Sequence, residues 1–523
     1  MKWEAHDARK VHPAGTTMGD HLRDAPSVCA LRRDQPSFSS LRGGDRLPVH
    51  GARRHAVAEV IQTQYGQSGC AIPASLEAFR DGASVITTGH QLVLAGGPAF
   101  FHYKIWTAIR LAGQLGGAIP VFWLASEDHD FQEIATIPGS PSFHLDPSVS
   151  LPNQAVGRLV VSEGWRDDLL EWARASNWRA DEVEVLGEAY AAGLTLAHAV
   201  RRWVHALYGS HGVLVVDGDD AALKDLAAPI FHLELLDQKL TEWIGRSTEK
   251  MKSAGYAPPV HLRDCQLFSL TGPEGIRNRV NAADVDFQAP LASYSPNALM
   301  RPLYQEFLLQ STAVVGGATE CAYWLQLTKA FDELDGVDMP VVWLRDGFTL
   351  TSARHDQSLE NAGEPPWIPG GDSRGGAEDD LVGRWLNQRL ALAIPSENVQ
   401  RPFEDLRDAL VEQVKSVDAS LEGAAMATVV KMRAEWKRME KKLKRTIRMQ
   451  QTEELSAYLA AWDFLEPKGI AQERTRNFHQ MLAHLEPNAS ASEMLERYLS
   501  ASSDSEGPIW WKVSWPVRVA STR

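Results

Sequence analysis

The chain has 523 residues, 44% of them hydrophobic, with a formal charge of −14 and a pI near 5.7. That length supports a large core and a prior of two or three domains, while the acidic balance excludes general nucleic-acid binding, which needs an extended surplus of Lys and Arg. Cys29, Cys70, Cys265 and Cys321 form no CxxC pair and no zinc-finger spacing, and the sequence shows no secretory h-region and no run of about 18 apolar residues, so it reads as a cytoplasmic protein with reduced thiols and no membrane span.

Residues 1 to about 50 are rich in Arg, Asp, Ser, Pro and Gly and predict an irregular lead-in. Short amphipathic pieces over Ala56–Ile61 and Leu76–Phe79 predict helices. The β-branched run Val85-Ile86-Thr87-Thr88 then predicts a strand, passing through Gly89-His90-Gln91 and Gly96-Gly97-Pro98 into a helix marked by Phe101, Ile105, Ile109 and Ala112. A second strand, Ile119–Leu124, ends in Glu127-Asp128-His129-Asp130. Together these make a βαβ unit with polar chemistry on its carboxyl edge, where open parallel sheets bind ligands.

Ser, Pro, Asn and Asp between Pro138 and Arg158 interrupt the sheet. Helices are predicted over Trp165–Trp178 and Glu182–Tyr208, before a buried strand, Gly212–Val216, that ends at Asp217-Gly218-Asp219-Asp220. A helical region over Leu223–Ala254 and an extended, hairpin-like stretch over Tyr256–Leu270 lead to the turn Ser295-Pro296-Asn297, which opens a helix carrying Arg301, Gln305 and Glu306. The strand Thr312–Val315 breaks at Gly316-Gly317 and feeds a helix through Glu320, Tyr323, Trp324 and Leu327. Val341–Leu344 is the last core strand. The Pro-, Gly- and acid-rich stretch Glu364–Glu378 suits an exposed interdomain loop.

Beyond it, Val429, Met432, Trp436, Met439 and Leu443 follow alternating steps of three and four, the seam of a coiled coil, with Lys437, Arg438, Lys441, Lys442, Lys444, Arg445 and Arg448 on the other faces. Phe403–Val417 is the predicted antiparallel partner of a longer helix over Ala424–Trp462. The uncovered part of that helix suits a homodimer contact. The tail, Ile509–Val519, is expected to pack back on the main body. These segments predict an α/β protein: a parallel-sheet core over 1–385 with inserted segments over roughly 138–212 and 223–295, a helical coiled-coil domain over 386–490, and a tail over 491–523.

Several residues suit chemistry, and each has a structural alternative. The acids and imidazole of 127–130 can bind an ammonium or amino sugar, hold Mg²⁺ through oxygen ligands, or supply a general base; acids are equally at home at a solvated helix N-terminus. Arg301 suits a bidentate contact to carboxylate or phosphate, or a structural ion pair. Tyr323 and Trp324 suit substrate contact or core packing. His90 can contact a ligand or satisfy the backbone of its own turn, and the basic helix suits a nucleotide contact or a solvated coiled-coil face.

The segment TTGHQLVLAGGPAFFHYKIWTAIRLA, followed by PVFWLASEDHDFQEI, resembles the BshC family, to which the addition of cysteine in bacillithiol synthesis is attributed. SPNALMRPLYQEF with GGATECAYWLQL, from Ser295 to Leu327, and KMRAEWKRMEKKLKR fit the same family. The resemblance implies a Rossmann-like core related to class I aminoacyl-tRNA synthetases and nucleotidyltransferases, and a ligase that joins cysteine to the amine of glucosaminyl-malate through an activated, adenylated carboxylate, using ATP and with Mg²⁺ as an accompanying ion. It implies catalytic roles for His90, Gln91, Asp128 and His129 and substrate contacts for Gly89, Gly97, Glu127, Asp130, Asn297, Arg301, Glu320, Tyr323 and Trp324. Lys104, Lys441 and Arg445 are the weaker nucleotide-binding candidates, and no residue is assigned as a metal ligand. The synthetase pattern is incomplete: no second His stands two residues before Gly89, and no KMSKS-type loop follows the last core strand. Two other readings remain open, a nucleotidyltransferase of this fold acting on another small molecule and a non-catalytic coiled-coil scaffold.

Overall fold

The computed structural model describes residues 1–516 apart from 13, 43–46, 48, 282, 284, 287, 365–374 and 396. Most of the loop expected over Glu364–Glu378, and residues 517–519 of the expected tail, therefore lie outside the described residues. The described residues form two compact units, one within residues 3–349 with 473–513, the other within residues 1–2, 350–472 and 514–516. Residues 473–490, grouped with the helical domain from sequence, thus belong to the larger unit.

In the larger unit the core strands are β1 (Val85–Gln91), β2 (Ile119–Ala125) and β3 (Leu214–Asp217); an antiparallel trio follows, β4 (Leu267–Thr271), β5 (Ile276–Arg279) and β6 (Tyr294–Pro296), and then β7 (Ala313–Gly316) and β8 (Val341–Leu344). β1, β2, β3, β7 and β8 form one parallel sheet in the order β3-β2-β1-β7-β8, and the trio forms its own sheet in the order β5-β4-β6. Every residue of β2 is buried. Strands covered on both faces read as continuous apolar runs, which is why the core strands were visible in the sequence. Strand order reverses between β1 and β7, and at such a switch point neighbouring connections leave the sheet on opposite faces and open a crevice. Register sets the two strand ends level: Thr88 lies opposite Phe122 on one side and Val315 on the other.

The helices that frame the crevice are α1 (Phe100–Leu115), α2 (Arg301–Leu309) and α3 (Ala318–Trp324). Elsewhere the expected long helices are broken. Glu182–Tyr208 is two helices, Ala180–Ala189 and Leu196–Tyr208, because Gly193 takes a left-handed φ of 85° and the Thr195 hydroxyl caps the second by accepting from the His198 N–H. Leu223–Ala254 is three, Ala221–Leu226, Ala228–Leu235 and Lys239–Ser253, divided at Pro229 and at Gln238, whose φ is 52°. The extended stretch begins only at Leu267.

The second unit contains α4 (Glu378–Ala393), α5 (Glu397–Val417), α6 (Glu422–Gln450) and α7 (Thr452–Leu465). α5 and α6 pack as a hairpin joined through Asp418–Leu421, and α4 also packs on α6. The single helix expected over Ala424–Trp462 is interrupted at Gln451. The seam is only partly covered: Val429 is buried, while Met432 and Met439 are 42% and 48% exposed.

A buried network ties α1 to the chain's later part within the larger unit. Arg110 of α1 and the Tyr498 hydroxyl converge on Asp346, which is fully buried; the contacts are 3.2 Å and 2.6 Å, and the Ile509 N–H adds a third at 3.0 Å. Removing one member of a buried ion pair strands the other charge. Asp346→Ala is therefore expected to cost about 3–5 kcal/mol, read as a lowered urea midpoint with an unchanged slope, whereas Tyr498→Phe, which removes one hydroxyl, is expected to cost about 1 kcal/mol.

Candidate functional site

A cavity of about 450 Å³ lies at the carboxyl ends of β1 and β7, the switch point of the sheet. Gly89 and Gly317 line it from the strand ends. A Cβ on Gly89 would stand 3.2 Å from the Trp123 carbonyl oxygen, so a side chain there would press on β2 and shift it by a few tenths of an ångström. The Gly89 carbonyl accepts from Lys104 Nζ at 3.1 Å, and the same ammonium lies 2.5 Å from Glu320 Oε2. Glu320 in turn accepts from the Gly317 N–H at 2.8 Å and so closes the first turn of α3. Lys104 and Glu320 thus both line the cavity and neutralise one another.

Gly96 and Gly97 form the turn into α1, with φ of 76° and 48°; a Cβ on Gly97 would meet Val93 at 2.8 Å. Asn477 fixes this turn, donating from Nδ2 to the Ala95 and Gly97 carbonyls at 3.0 Å each, and the Ala99 N–H donates to the Arg476 carbonyl at 2.9 Å. The turn into α1 and the N–H of Ala99 are therefore engaged by the protein's own returning segment.

His90 lines the cavity between the rings of Phe100 and Phe101, with centroids at 5.4 and 5.9 Å. Desolvation first, and the neighbouring Lys104 ammonium second, lower its pKa to about 3, so the imidazole is neutral at physiological pH. Nδ1 lies 2.9 Å from the Gln91 carbonyl oxygen, an atom that only accepts, so Nδ1 carries the proton and Nε2 keeps its lone pair. Such a ring accepts a hydrogen bond at Nε2 and is a weak base. It does not donate to an anion from that nitrogen.

Gln91 Nε2 donates to Asp128 Oδ2 at 2.6 Å, while Asp128 Oδ1 accepts from the His129 N–H at 2.7 Å and meets Arg277 Nη1 at 3.3 Å. Burial alone would raise the Asp128 pKa; the hydrogen bond from His129 and the charges of Arg277 and Arg301 outweigh it and hold the carboxyl well below the usual range. A carboxylate so held is a weak base, and it orients Gln91 and Arg277. His129 Nδ1 lies 3.3 Å from Arg277 and its ring leans on Phe268. Asp130 caps the short helix Phe131–Ile134 by accepting from the Glu133 N–H at 3.3 Å. Glu127 is buried, and burial raises its pKa to about 7.

Four cationic side chains line the cavity, and two are neutralised: Lys104 by Glu320, and Arg345, at the end of β8, by a two-pronged contact with Glu473. Among the described residues, Arg301 and Arg474 have no carboxylate within ion-pair distance; Arg301 is hydrogen-bonded to the Tyr323 hydroxyl, and Arg474 stands over the Phe100 ring at 5.9 Å. Trp324 lines the cavity and stacks on Phe331 with planes 11° apart, so it serves both wall and core. Asn297 does not line it: Nδ2 donates to Gln266, and Oδ1 accepts from the Leu299 and Met300 N–H groups at the entry to α2. Lys441 and Arg445 are exposed on α6, in the other unit.

The sequence reading missed Arg345, Arg474 and Arg277. Arg345 directly follows a core strand, a position where the carboxyl-edge rule points to ligands. Arg277 and Arg474 carried no such signal. The assembled group offers a neutral imidazole acceptor beside two guanidinium groups that, among the described residues, have no carboxylate within ion-pair distance, a combination suited to holding an anionic group.

Two family models match the chain in succession. The first, "Bacillithiol biosynthesis BshC, N-terminal Rossmann-like domain", covers residues 42–292 and 287–346, and the second, "Bacillithiol biosynthesis BshC, C-terminal coiled-coil domain", covers residues 377–497. Relatives provisionally named cysteine ligase BshC include one from Salinibacter ruber, 29% identical over 77% of this chain and 79% of the relative. Those from Cytophaga hutchinsonii (28% identical, 76% and 78%) and Geobacillus thermodenitrificans (26% identical, 81% and 84%) are similar. With its Rossmann-like strand order, its helical carboxyl-terminal unit and both matches in sequence along it, the chain belongs to the BshC family of bacillithiol biosynthesis.

Proposed function

We propose that the cavity is the active site of an amide-forming ligase that joins cysteine, through an activated carboxyl group, to the amine of glucosaminyl-malate, giving bacillithiol, with ATP as the activating co-substrate. The observation that carries this reading is the pairing of a neutral His90, its Nε2 uncommitted, with Arg301 and Arg474, which among the described residues have no carboxylate within ion-pair distance. An attacking amine must shed a proton as the C–N bond forms; the lone pair of the neutral His90 Nε2 accepts a hydrogen bond from that amine and orients it, and the proton leaves to solvent. Arg301 and Arg474 hold the anionic portions of the substrates, and Glu320 and Glu473 fix the remaining cations in the wall. Among the described residues no three His, Cys, Asp or Glu side chains form a group that could hold a metal ion. Four unpaired thiols and helices none of which, among the described residues, is long and apolar enough to cross a membrane support placing the enzyme in the cytoplasm.

The test is bacillithiol formation, followed by mass spectrometry, from purified full chain, glucosaminyl-malate, cysteine and ATP; no product from folded protein overturns the reading. His90→Ala is expected to lower kcat by about 10²-fold or more with little change in Tm, and an equal collapse of Tm would make the residue structural. A second consequence concerns pH. The folded ring resists protonation down to about pH 3 while the unfolded ring takes a proton near 6.5, so lowering the pH favours the unfolded state. Between pH 7 and pH 5 the wild type should lose about 2 kcal/mol relative to His90→Gln, measured by urea titrations at both pH values.

We further infer that the helical unit carries a homodimer contact. Met432 and Met439 are exposed apolar side chains on one face of α6, in the seam that the neighbouring helices leave partly uncovered, and a seam of this kind favours burial against a second copy. Sedimentation equilibrium at micromolar concentration should give twice the 57.8 kDa chain mass; a single species at the chain mass excludes the contact.

A further inference from the structure

Glu127 sits just past the carboxyl end of β2, is 2% exposed, and has no hydrogen-bond partner for either carboxylate oxygen. An ionised carboxylate so placed has lost its hydration without a replacement. The groups facing it are Lys224 on the helix Ala221–Leu226, Asp219 just after β3, Arg277 on β5, and Arg301 and Tyr304 on α2; Asp128 is its neighbour in the chain. Two of the three cations are already taken. Lys224 Nζ lies 2.6 Å from Asp219 Oδ1, and Arg277 Nη1 lies 3.3 Å from Asp128 Oδ1. Arg301 is the third, and it also lines the cavity.

We propose that Glu127 is a positioning residue that couples anion binding in the cavity to proton uptake, by sharing the field of Arg301 with the docked anion. When Glu127 is ionised, its charge competes with the ligand for the guanidinium. When it is protonated, the Asp128 carboxylate remains in the field of Arg301, and more of the guanidinium charge faces the cavity. An anion docked on Arg301 therefore disfavours the Glu127 carboxylate, which takes one proton from solvent; an O–H bond forms and none breaks in the ligand. Burial places the Glu127 titration close to neutrality, so the linkage operates at physiological pH. His90 titrates far lower and stays neutral throughout. The inference rests on reading the cavity as the anion-binding site of the ligase.

Sulfate is the probe, because it stays a dianion across the pH range and any proton exchanged belongs to the protein. Titration calorimetry of the full chain at pH 7, in two buffers of different ionisation enthalpy, should show uptake of up to about half a proton per sulfate bound. The sulfate Kd should weaken as pH rises from 6 to 8. Glu127→Gln should bind sulfate with no proton uptake and a Kd that no longer depends on pH, while His129→Asn should keep the uptake. Sulfate binding without uptake in the wild type, or unchanged uptake in Glu127→Gln, overturns the proposal and leaves the anion site standing; should Glu127→Gln not fold, the wild-type uptake decides alone. Absence of sulfate binding in the wild type overturns the anion reading of the cavity and the linkage with it.

Discussion

The ion pair between Lys104 and Glu320 holds the switch point together. Lys104 reaches from α1 to the Gly89 carbonyl at the end of β1, and Glu320 reaches back from α3 to the Gly317 N–H beyond β7, so one 2.5 Å contact spans the crevice between the two halves of the sheet. Lys104 is 2% exposed. A buried ammonium without its carboxylate would shift its pKa or unfold its surroundings, so each half of the sheet depends on the other for a satisfied charge.

That pairing also decides what the cavity can bind. A lysine one turn into the first helix would serve as a phosphate clamp if its charge were free, but Glu320 cancels it, as Glu473 cancels Arg345. The net positive field then comes from Arg301 and Arg474, which enter from α2 and from the segment that follows the helical unit. The same returning segment supplies Asn477, which pins the Gly96-Gly97 turn, and the Arg476 carbonyl, which takes the Ala99 N–H. The sheet alone therefore makes half a site. Residues 473–477 complete it with a charge, a counter-charge and a brace.

The fold was legible where burial is two-sided. All five core strands stood out as short apolar or β-branched runs, and α1 showed through its helical spacing, because neither depends on distant partners. Helix breaks were not legible. Gln238 at φ 52° and the turn at Gln451 break helices at residues whose side chains permit helix, and only tertiary packing selects the break. The helix Gly51–Ser68 is likewise much longer than the short apolar piece that marked it, since Arg54 and Gln64 are buried on it through hydrogen bonds that no periodicity reveals.

The site was legible by location more than by role. Gly89, His90, Gln91, Arg301, Glu320, Tyr323 and Trp324 all line one cavity, as the carboxyl-edge rule led one to expect, although they come from distant parts of the chain. Asn297 and Asp130 show why roles are harder. Each sits at a helix entry and spends its side-chain oxygen on backbone N–H groups. Short polar side chains that suit a ligand are the same ones that suit a helix start, so residue type cannot separate the two uses. What separates them is whether the polar atoms are already engaged. Asn297 has a protein partner for its amide nitrogen and its oxygen alike, and Asp128 for both carboxylate oxygens; His90 keeps Nε2 and Arg301 keeps its charge. Unspent bonding capacity facing a cavity is a property of the folded chain, and it is what distinguishes a residue that works on a ligand from one that holds the protein in shape.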